Sequence, residues 1–101
     1  MNYWTAGESV RKRISVTGIV QGVSYRFWAL TRAREMNLSG YVRNMPDGSV
    51  ELVLQGPEPM VRRMIEFCGR GPAWATVRSV EVVETGSPDP EEDGRPFRVM
   101  S

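Results

Sequence analysis

Residues 13–36 read RISVTGIVQGVSYRFWALTRAREM, a pattern typical of a strand, a turn and a helix in succession. Apolar residues alternate with more polar ones over residues 14–20, and this period of two predicts a strand with one buried face. Beyond the turn, apolar residues recur at spacings of four, four and three, which predicts a helix. They are Tyr25, Ala29, Ala33 and Met36. We expect Ser24 to cap the helix N-terminus and Asn37 to take the left-handed conformation that ends it.

The following segments predict a hairpin, a second helix and a fourth strand. Residues 41–44 and 49–55 have strand-like patterns and flank Met45-Pro46-Asp47-Gly48, whose Asp-Gly pair is a strong hairpin signal. The second helix is predicted to begin around Gly56-Pro57-Glu58, because the first helical turn favours proline and an acidic residue. Residues 76–84 then alternate in the manner of a strand.

The order of these elements, β-α-β-β-α-β, decides the fold class. The helical crossover makes strands one and two parallel, and the hairpin makes strand three antiparallel to strand two. The simplest arrangement is an α+β ferredoxin-like sandwich with strand order 4-1-3-2 and both helices on one face. Phe97 and Val99 indicate a fifth, short C-terminal strand. Residues 1–9 show no periodicity and predict a flexible N-terminal tail, which leaves residues 10–101 as a single domain.

The composition excludes several kinds of catalytic site. The chain of 101 residues has no histidine and one cysteine, so it has no histidine base, Ser-His-Asp triad, histidine-ligated zinc or intrachain disulfide. We therefore expect no metal and no cofactor, and we interpret Cys68 as an inert core residue. The 13 basic and 12 acidic residues give a net charge of +1, so we expect neither nucleic acid nor a membrane as a partner. With no signal-peptide core and no apolar run of about 20 residues, we expect a cytoplasmic protein, which we take to be a monomer.

The predicted topology concentrates features that bind anions at one edge of the sheet. Because strands one and two are parallel, the turn Gly18–Arg26 and Asn44 both lie at strand C-termini on that edge. The turn precedes a helix N-terminus, whose free N–H groups attract anions, and its glycines let successive amides point inward. Arg26 adds a planar guanidinium that matches phosphate oxygens. The sequence therefore predicts a small phosphate-bearing ligand at this edge.

Each of these features also has a simpler structural interpretation. An arginine in a first helical turn is more often a solvated surface residue, and an asparagine before Pro-Asp-Gly is usually a turn former. We interpret Trp28 and Trp74 as packing or surface residues, and the acidic run Asp89–Asp93 as a solvated loop. No single motif supports an enzyme on its own.

Two longer motifs together resemble the acylphosphatase family. Residues 16–26, VTGIVQGVSYR, are similar to its signature G-x-V-Q-G-V-x-[FY]-R. Residues 40–51 match its second block, G-x-V-R-N-x-x-D-G-x-V-E. The motifs follow the family's order, and the resemblance covers roughly residues 10–100. The departures are minor, since Asn37 stands where glycine is frequent and the acidic loop before the last strand is somewhat long.

The resemblance implies hydrolysis of acyl phosphates, which are mixed carboxylic–phosphoric anhydrides, to a carboxylate and inorganic phosphate. It assigns phosphoryl binding to the Arg26 side chain and to turn amides, and orientation of the attacking water to Asn44. The amides are those of Val20, Gln21, Gly22, Val23 and Ser24. A site of this kind needs neither a protein nucleophile nor a histidine base, because phosphoryl transfer depends mainly on positioning and charge stabilisation. Inorganic phosphate is then both the product and an inhibitor.

Two other classes of function stay open. A non-catalytic regulatory module on this fold could use the same anion pocket without turnover. A nucleic-acid-binding domain could use Tyr41, Trp28 and the arginines, although the net charge of +1 argues against it. Turnover of a simple acyl phosphate separates the enzyme from both.

Overall fold

The computed structural model describes residues 8–22 and 24–100, and within them the predicted order of elements is confirmed. In chain order the elements are β1 (Ser9–Ile19), α1 (Tyr25–Glu35), β2 (Ser39–Asn44), β3 (Val50–Pro57), α2 (Glu58–Arg70), β4 (Thr76–Gly86), a 3₁₀ turn (Pro90–Glu92) and β5 (Arg98–Val99).

The strands form one sheet in the order β4-β1-β3-β2-β5. β1 is antiparallel to both β3 and β4, and β2 is antiparallel to β3, whereas β5 runs parallel to β2. This arrangement confirms the ferredoxin-like order 4-1-3-2 and adds the short fifth strand at the outer edge of β2.

One face of the sheet packs against both helices and forms the core. Ile14 and Val16 of β1 lie opposite Leu52 and Val50 of β3, and all four side chains are fully buried. The helices cover them with the residues whose helical spacing the sequence displays, namely Tyr25, Ala29, Ala33, Val61, Met64 and Cys68. Burial of each large aliphatic side chain contributes roughly 1.5–3 kcal/mol, which explains why the periodic pattern predicts these elements well.

The register of the central strands brings the ends of β1 and β2 together. Val50, the first residue of β3, pairs with Val16 on one side and with Asn44 on the other. The C-terminal ends of β1 and β2 therefore lie at the same edge of the sheet, as the crossover predicts. The turn between β1 and α1 leaves the sheet at this edge, beside Asn44.

The other face of the sheet carries charged side chains. Glu51 of β3 accepts hydrogen bonds from Arg43 of β2 at 2.7 Å and from Arg13 of β1 at 3.3 Å. Arg13 also donates to Glu84 of β4 at 2.6 Å. A chain of ion pairs therefore links four neighbouring strands on the face opposite the helices.

β1 is longer than the sequence pattern predicts. It begins at Ser9 rather than at Arg13, because its first residues pair with β3 and then also with β4. Among residues 9–12 only Val10 is apolar, so the alternation that marks the rest of the strand is not recognisable there. Ser9, the last residue of the predicted tail, belongs to the sheet, and the Glu8 carbonyl accepts a hydrogen bond from the Glu58 N–H at 3.1 Å. Residues 1–7 of that tail lie outside the described residues.

The two ends of α1 differ in how well they were predicted. Asn37 has φ 57°, which confirms the left-handed residue expected after the helix. The prediction that Ser24 caps the N-terminus was wrong, because Ser24 is itself left-handed with φ 63° and its side chain makes no capping hydrogen bond. A capping residue normally has an extended backbone, which aims its side-chain oxygen at the next amides.

The prediction that the acidic run Asp89–Asp93 is a solvated loop was wrong at Glu92, although Glu91 and Asp93 are exposed. Glu92 is only 7% exposed, and its carboxylate accepts hydrogen bonds from Arg98 and Arg95. The side chain of Gln55 on β3 donates to the Asp89 carbonyl and to Asp93. The segment is therefore fastened to the sheet by polar contacts, which hydropathy patterns do not report.

Candidate active site

A cleft of about 420 Å³ lies at the sheet edge where β1 and β2 end. Val20, Gly22 and Ser24 line it from the turn, and Tyr25, Arg26 and Phe27 from the first turn of α1. Asn44 and Val99 complete the lining from β2 and β5. The structure thus brings together Arg26, Asn44 and three of the five residues whose amides the sequence singles out. The volume is in the range typical of small-molecule sites.

The backbone of the turn depends on left-handed residues. Gly22 has φ 76°, a conformation that costs little only in glycine, although the space around its Cα is open. At Gly18, with φ 129°, a Cβ would collide with the Thr76 carbonyl oxygen on the adjacent β4. Left-handed residues near a helix N-terminus are typical of backbone whose N–H groups bind an anion.

Gln21 ties this turn to the β2–β3 hairpin. Its Nε2 donates to the backbone carbonyls of Met45 and Ser49, each at 2.8 Å. The Gln21 side chain therefore faces the hairpin and not the cleft, a role in addition to the one predicted for its backbone N–H. The only sign of this role in the sequence is that Gln21 is a polar side chain between Val20 and Gly22. Val23, the remaining predicted amide donor, lies outside the described residues.

Arg26 has its guanidinium available at this cleft. It is partly buried in the first turn of α1, and it has no side-chain hydrogen bond or ion pair within residues 8–22 and 24–100. The first turn of α1 has no acidic residue that would compete with a bound anion. The charge of Arg26 and the positive end of the helix dipole therefore act on the same volume.

Asn44 contributes a buried acceptor that nothing in the described structure satisfies. Its Oδ1 is inaccessible to solvent and has no hydrogen-bond partner among the described residues. An unsatisfied buried acceptor costs about 1–3 kcal/mol, so its presence points to a ligand or a water molecule as the missing donor.

The hairpin turn does not depend on the Asn44 side chain. The turn is closed by backbone bonds and by Asp47, which accepts from the N–H and the hydroxyl of Ser49 at 2.9 and 2.6 Å. These hydrogen bonds hold the pKa of Asp47 below its usual value. The turn-forming interpretation of Asn44 therefore has no contact of its side chain to support it.

The Tyr25 hydroxyl, which lines the cleft, and the Cys68 thiol, in the core, both have raised pKa values. The Tyr25 hydroxyl donates to the Cys68 carbonyl at 2.9 Å, and burial raises the pKa of Tyr25 well above its usual value. Burial also raises the pKa of Cys68 to about 12, as suits its position inside the core. Among the residues that the structure places around the cleft, Arg26 is the only one that is charged at neutral pH.

A second cleft, on the face opposite the helices, is a weaker candidate. It measures about 340 Å³ and is lined in part by Arg11, Arg13 and Glu84. Arg13 is already paired with carboxylates, and Arg11 donates to Gln55 at 3.0 Å. The arginines of this second cleft are therefore largely engaged by partners within the protein.

The described residues include neither a metal-binding cluster nor a membrane-spanning helix. Within residues 8–22 and 24–100, no three Cys, Asp or Glu side chains lie close enough to hold a metal ion together. Neither helix of this part of the chain has the length and apolarity needed to cross a membrane.

Comparison with known proteins gives one consistent family. The acylphosphatase family profile matches residues 12–98. An acylphosphatase from Caldivirga maquilingensis is 52% identical over 77 residues, which cover 75% of this chain and 81% of that relative. An acylphosphatase from Rhodopseudomonas palustris is 45% identical over 93 residues, covering 89% and 93% of the two chains. The crystal structure of acylphosphatase from Bacillus subtilis superposes with a TM-score of 0.83 at 29% identity and covers 91% of this chain and 99% of its own. The chain therefore belongs to the acylphosphatase family, and it is an acyl phosphate hydrolase.

Proposed function

We propose that this enzyme hydrolyses its substrate by direct attack of a water molecule on the phosphorus atom. In this mechanism Arg26 and the amides of the turn hold the phosphoryl group, and Asn44 orients the water. The observation that carries the proposal is the pairing, in one cleft, of a guanidinium and a buried amide oxygen that both lack partners among the described residues.

Phosphoryl binding falls to the turn and the start of α1. The guanidinium of Arg26 offers a planar set of N–H donors that matches two phosphoryl oxygens. The amides of Val20, Gln21, Gly22, Val23 and Ser24 precede the helix N-terminus, where free N–H groups and the helix dipole favour negative charge. As charge develops on the phosphoryl oxygens in the transition state, these fixed donors stabilise it without reorganising.

Asn44 suits the orientation of water because its amide is neutral and can both accept and donate. Its Oδ1, which no described residue engages, would accept a hydrogen bond from the water once the side chain turns it toward the cleft. A water held in line with the leaving carboxylate forms the new P–O bond as the bond from phosphorus to the acyl oxygen breaks. The bonding electrons leave with the carboxylate, and the products are a carboxylate and inorganic phosphate.

The proton of the attacking water goes to a phosphoryl oxygen of the substrate. Neither Tyr25 nor Cys68 releases or accepts a proton near neutral pH. The Arg26 guanidinium serves as a charge rather than as a base. Because a carboxylate is a good leaving group, the reaction does not depend on a protein acid to protonate it.

The alternative of a non-catalytic anion-binding module explains only part of the cleft. Such a module would use Arg26 and the turn amides to bind a phosphate. It would leave the buried Oδ1 of Asn44 without a function, at a cost in folding free energy.

The proposal is tested by hydrolysing benzoyl phosphate in ¹⁸O-labelled water, with and without excess EDTA. We expect turnover that EDTA does not change, with the label in inorganic phosphate rather than in benzoate. Label in benzoate would mean attack at the carbonyl carbon and would contradict the mechanism. Loss of turnover that Mg²⁺ or Zn²⁺ restores would contradict it as well.

Arg26 gives the matched variants for the same assay. Arg26→Ala should lower kcat/KM about a hundredfold or more, as expected for the loss of a strong preorganised donor. Arg26→Lys should not restore activity, because an ammonium group lacks the planar arrangement of donors. Inorganic phosphate should raise the Tm of the wild type, since it binds the native state, but not that of Arg26→Ala. If Arg26→Ala keeps both activity and the Tm shift, the phosphoryl group binds elsewhere.

A further inference from the structure

Two large apolar side chains stand exposed at the mouth of the active-site cleft. Phe27 is 68% exposed and Val99 is 40% exposed, and both line the cleft that contains Arg26 and Asn44. Single exposed apolar residues are ordinary on protein surfaces. These two come from different elements, α1 and β5, and face the same volume, which is the arrangement of a binding surface.

Val99 is held firmly in place by backbone contacts. β5 pairs with β2 so that Val99 lies beside Val42, and the Met100 N–H donates to the Val42 carbonyl at 2.9 Å. On the other side, Arg34 Nε donates to the Phe97 carbonyl at 2.8 Å. The short strand is therefore fixed at both ends, although it has only two residues.

Phe27 is not needed by the core. It lies one residue after Arg26 in α1, whereas the buried stripe of that helix consists of Tyr25, Ala29 and Ala33. Its ring therefore projects from the helix, largely exposed, at the cleft that Arg26 also lines. A substrate anchored at Arg26 would bring its other end close to this ring.

The charge around the cleft also restricts what the rim can accept. Arg26 is the only charged side chain that lines the cleft in the described structure, and the phosphoryl group neutralises it. A second negative charge on the substrate would find no further cation in this lining. A neutral apolar group would instead remove the exposed surface of Phe27 and Val99 from water.

On the basis of the proposed function, we propose that Phe27 and Val99 form the acyl subsite of this enzyme. The subsite selects acyl phosphates whose acyl group is neutral and apolar, such as an aromatic or branched aliphatic acyl group, over those whose acyl group carries a further carboxylate. The cleft of about 420 Å³ is larger than a phosphoryl group, so it has room for an acyl group as well.

The first experiment compares kcat/KM for benzoyl phosphate and acetyl phosphate in the wild type, Phe27→Ala and Trp74→Ala. For each protein we take the ratio of kcat/KM for benzoyl phosphate to kcat/KM for acetyl phosphate. Comparing this ratio between two proteins cancels the different intrinsic reactivities of the two substrates. Trp74 is the matched control, because it is a large aromatic residue, 61% exposed, that does not line the cleft. We expect the benzoyl-to-acetyl ratio to fall about fivefold in Phe27→Ala, as for the loss of one aromatic contact, and to stay unchanged in Trp74→Ala.

The second experiment introduces the missing cation. Phe27→Arg should raise kcat/KM for succinyl monophosphate, whose acyl group carries a carboxylate, relative to kcat/KM for benzoyl phosphate. Because Phe27 is exposed, neither of its substitutions should prevent folding. Inhibition by inorganic phosphate, which has no acyl group, should change little in Phe27→Ala.

The possible outcomes distinguish failure of the acyl-subsite proposal from failure of the proposed function. Turnover of acyl phosphates with unchanged substrate ratios in both Phe27 variants would overturn the subsite and leave the proposed function intact. Equal loss of activity on benzoyl and acetyl phosphate in Phe27→Ala would likewise overturn it, because that pattern indicates disturbance of Arg26. Absence of turnover of every acyl phosphate by the wild type would overturn the proposed function itself.

Discussion

Replacing Asn44 with alanine should separate catalysis from stability. Oδ1 of Asn44 is buried and has no partner among the described residues, and such an acceptor costs about 1–3 kcal/mol. Asn44→Ala removes this cost together with some side-chain contacts, so the free energy of unfolding should stay level or rise by up to about 1 kcal/mol. For a domain of this length, about 1 kcal/mol corresponds to a Tm change of roughly 4 to 8 °C. The Tm of Asn44→Ala should therefore equal or exceed that of the wild type.

Catalysis by the same variant should fall steeply. Loss of the group that we propose orients the water is expected to lower kcat about a hundredfold or more, which corresponds to about 2.7 kcal/mol of transition-state stabilisation. Inhibition by inorganic phosphate should change much less, because Asn44 is neutral and the proposed anion contacts of Arg26 would remain. Asn44→Asp should also be poorly active, since a carboxylate would repel the phosphoryl group and lacks the amide donors.

Asn37 supplies the matched control for this test. It is left-handed with φ 57° and lies outside the active-site cleft, so Asn37→Ala should lower Tm while kcat per folded molecule stays the same. The two asparagine variants should thus show opposite patterns in benzoyl phosphate turnover and thermal unfolding. An Asn44→Ala protein that is active but less stable would refute the water-orienting role and would make Asn44 a residue of the hairpin alone.

Much of this fold follows from local patterns in the sequence. The helical spacing of Tyr25, Ala29 and Ala33 identifies α1 because each of these side chains is buried against the sheet. The Asp-Gly turn identifies the hairpin, and Gly48 has the positive φ of 94° that such a turn requires. The meeting of the β1–α1 turn with Asn44 is then a consequence of strand direction, which the crossover and the hairpin determine.

What could not be predicted depends on polar partners that are distant in the sequence. Gln21 and the hairpin carbonyls it contacts are 24 and 28 residues apart, and no periodicity links them. In the sequence, Glu92 is one of several acidic residues in a loop. In the structure it is buried and forms ion pairs with Arg98 and Arg95. Roles of this kind become visible only when the folded backbone has set the distances between side chains.

Two of these polar contacts give further predictions. Gln21→Leu should lower Tm by several degrees and weaken inhibition by inorganic phosphate, because it removes two hydrogen bonds that tie the hairpin to the turn proposed to bind the phosphoryl group. An unchanged phosphate inhibition constant would show that Gln21 contributes to stability alone. Glu92 should make the free energy of unfolding depend on pH in the acidic range, because its hydrogen bonds with Arg98 hold its pKa below the usual value. The stabilisation is present above the unfolded-state pKa of about 4.3 and is lost as the pH falls through the lower folded-state pKa. Thermal unfolding between about pH 3 and 7 should therefore show Glu92→Gln less stable than the wild type at neutral pH, with the gap closing in acid; a constant gap across that range would show that the carboxylate charge is not what stabilises the segment.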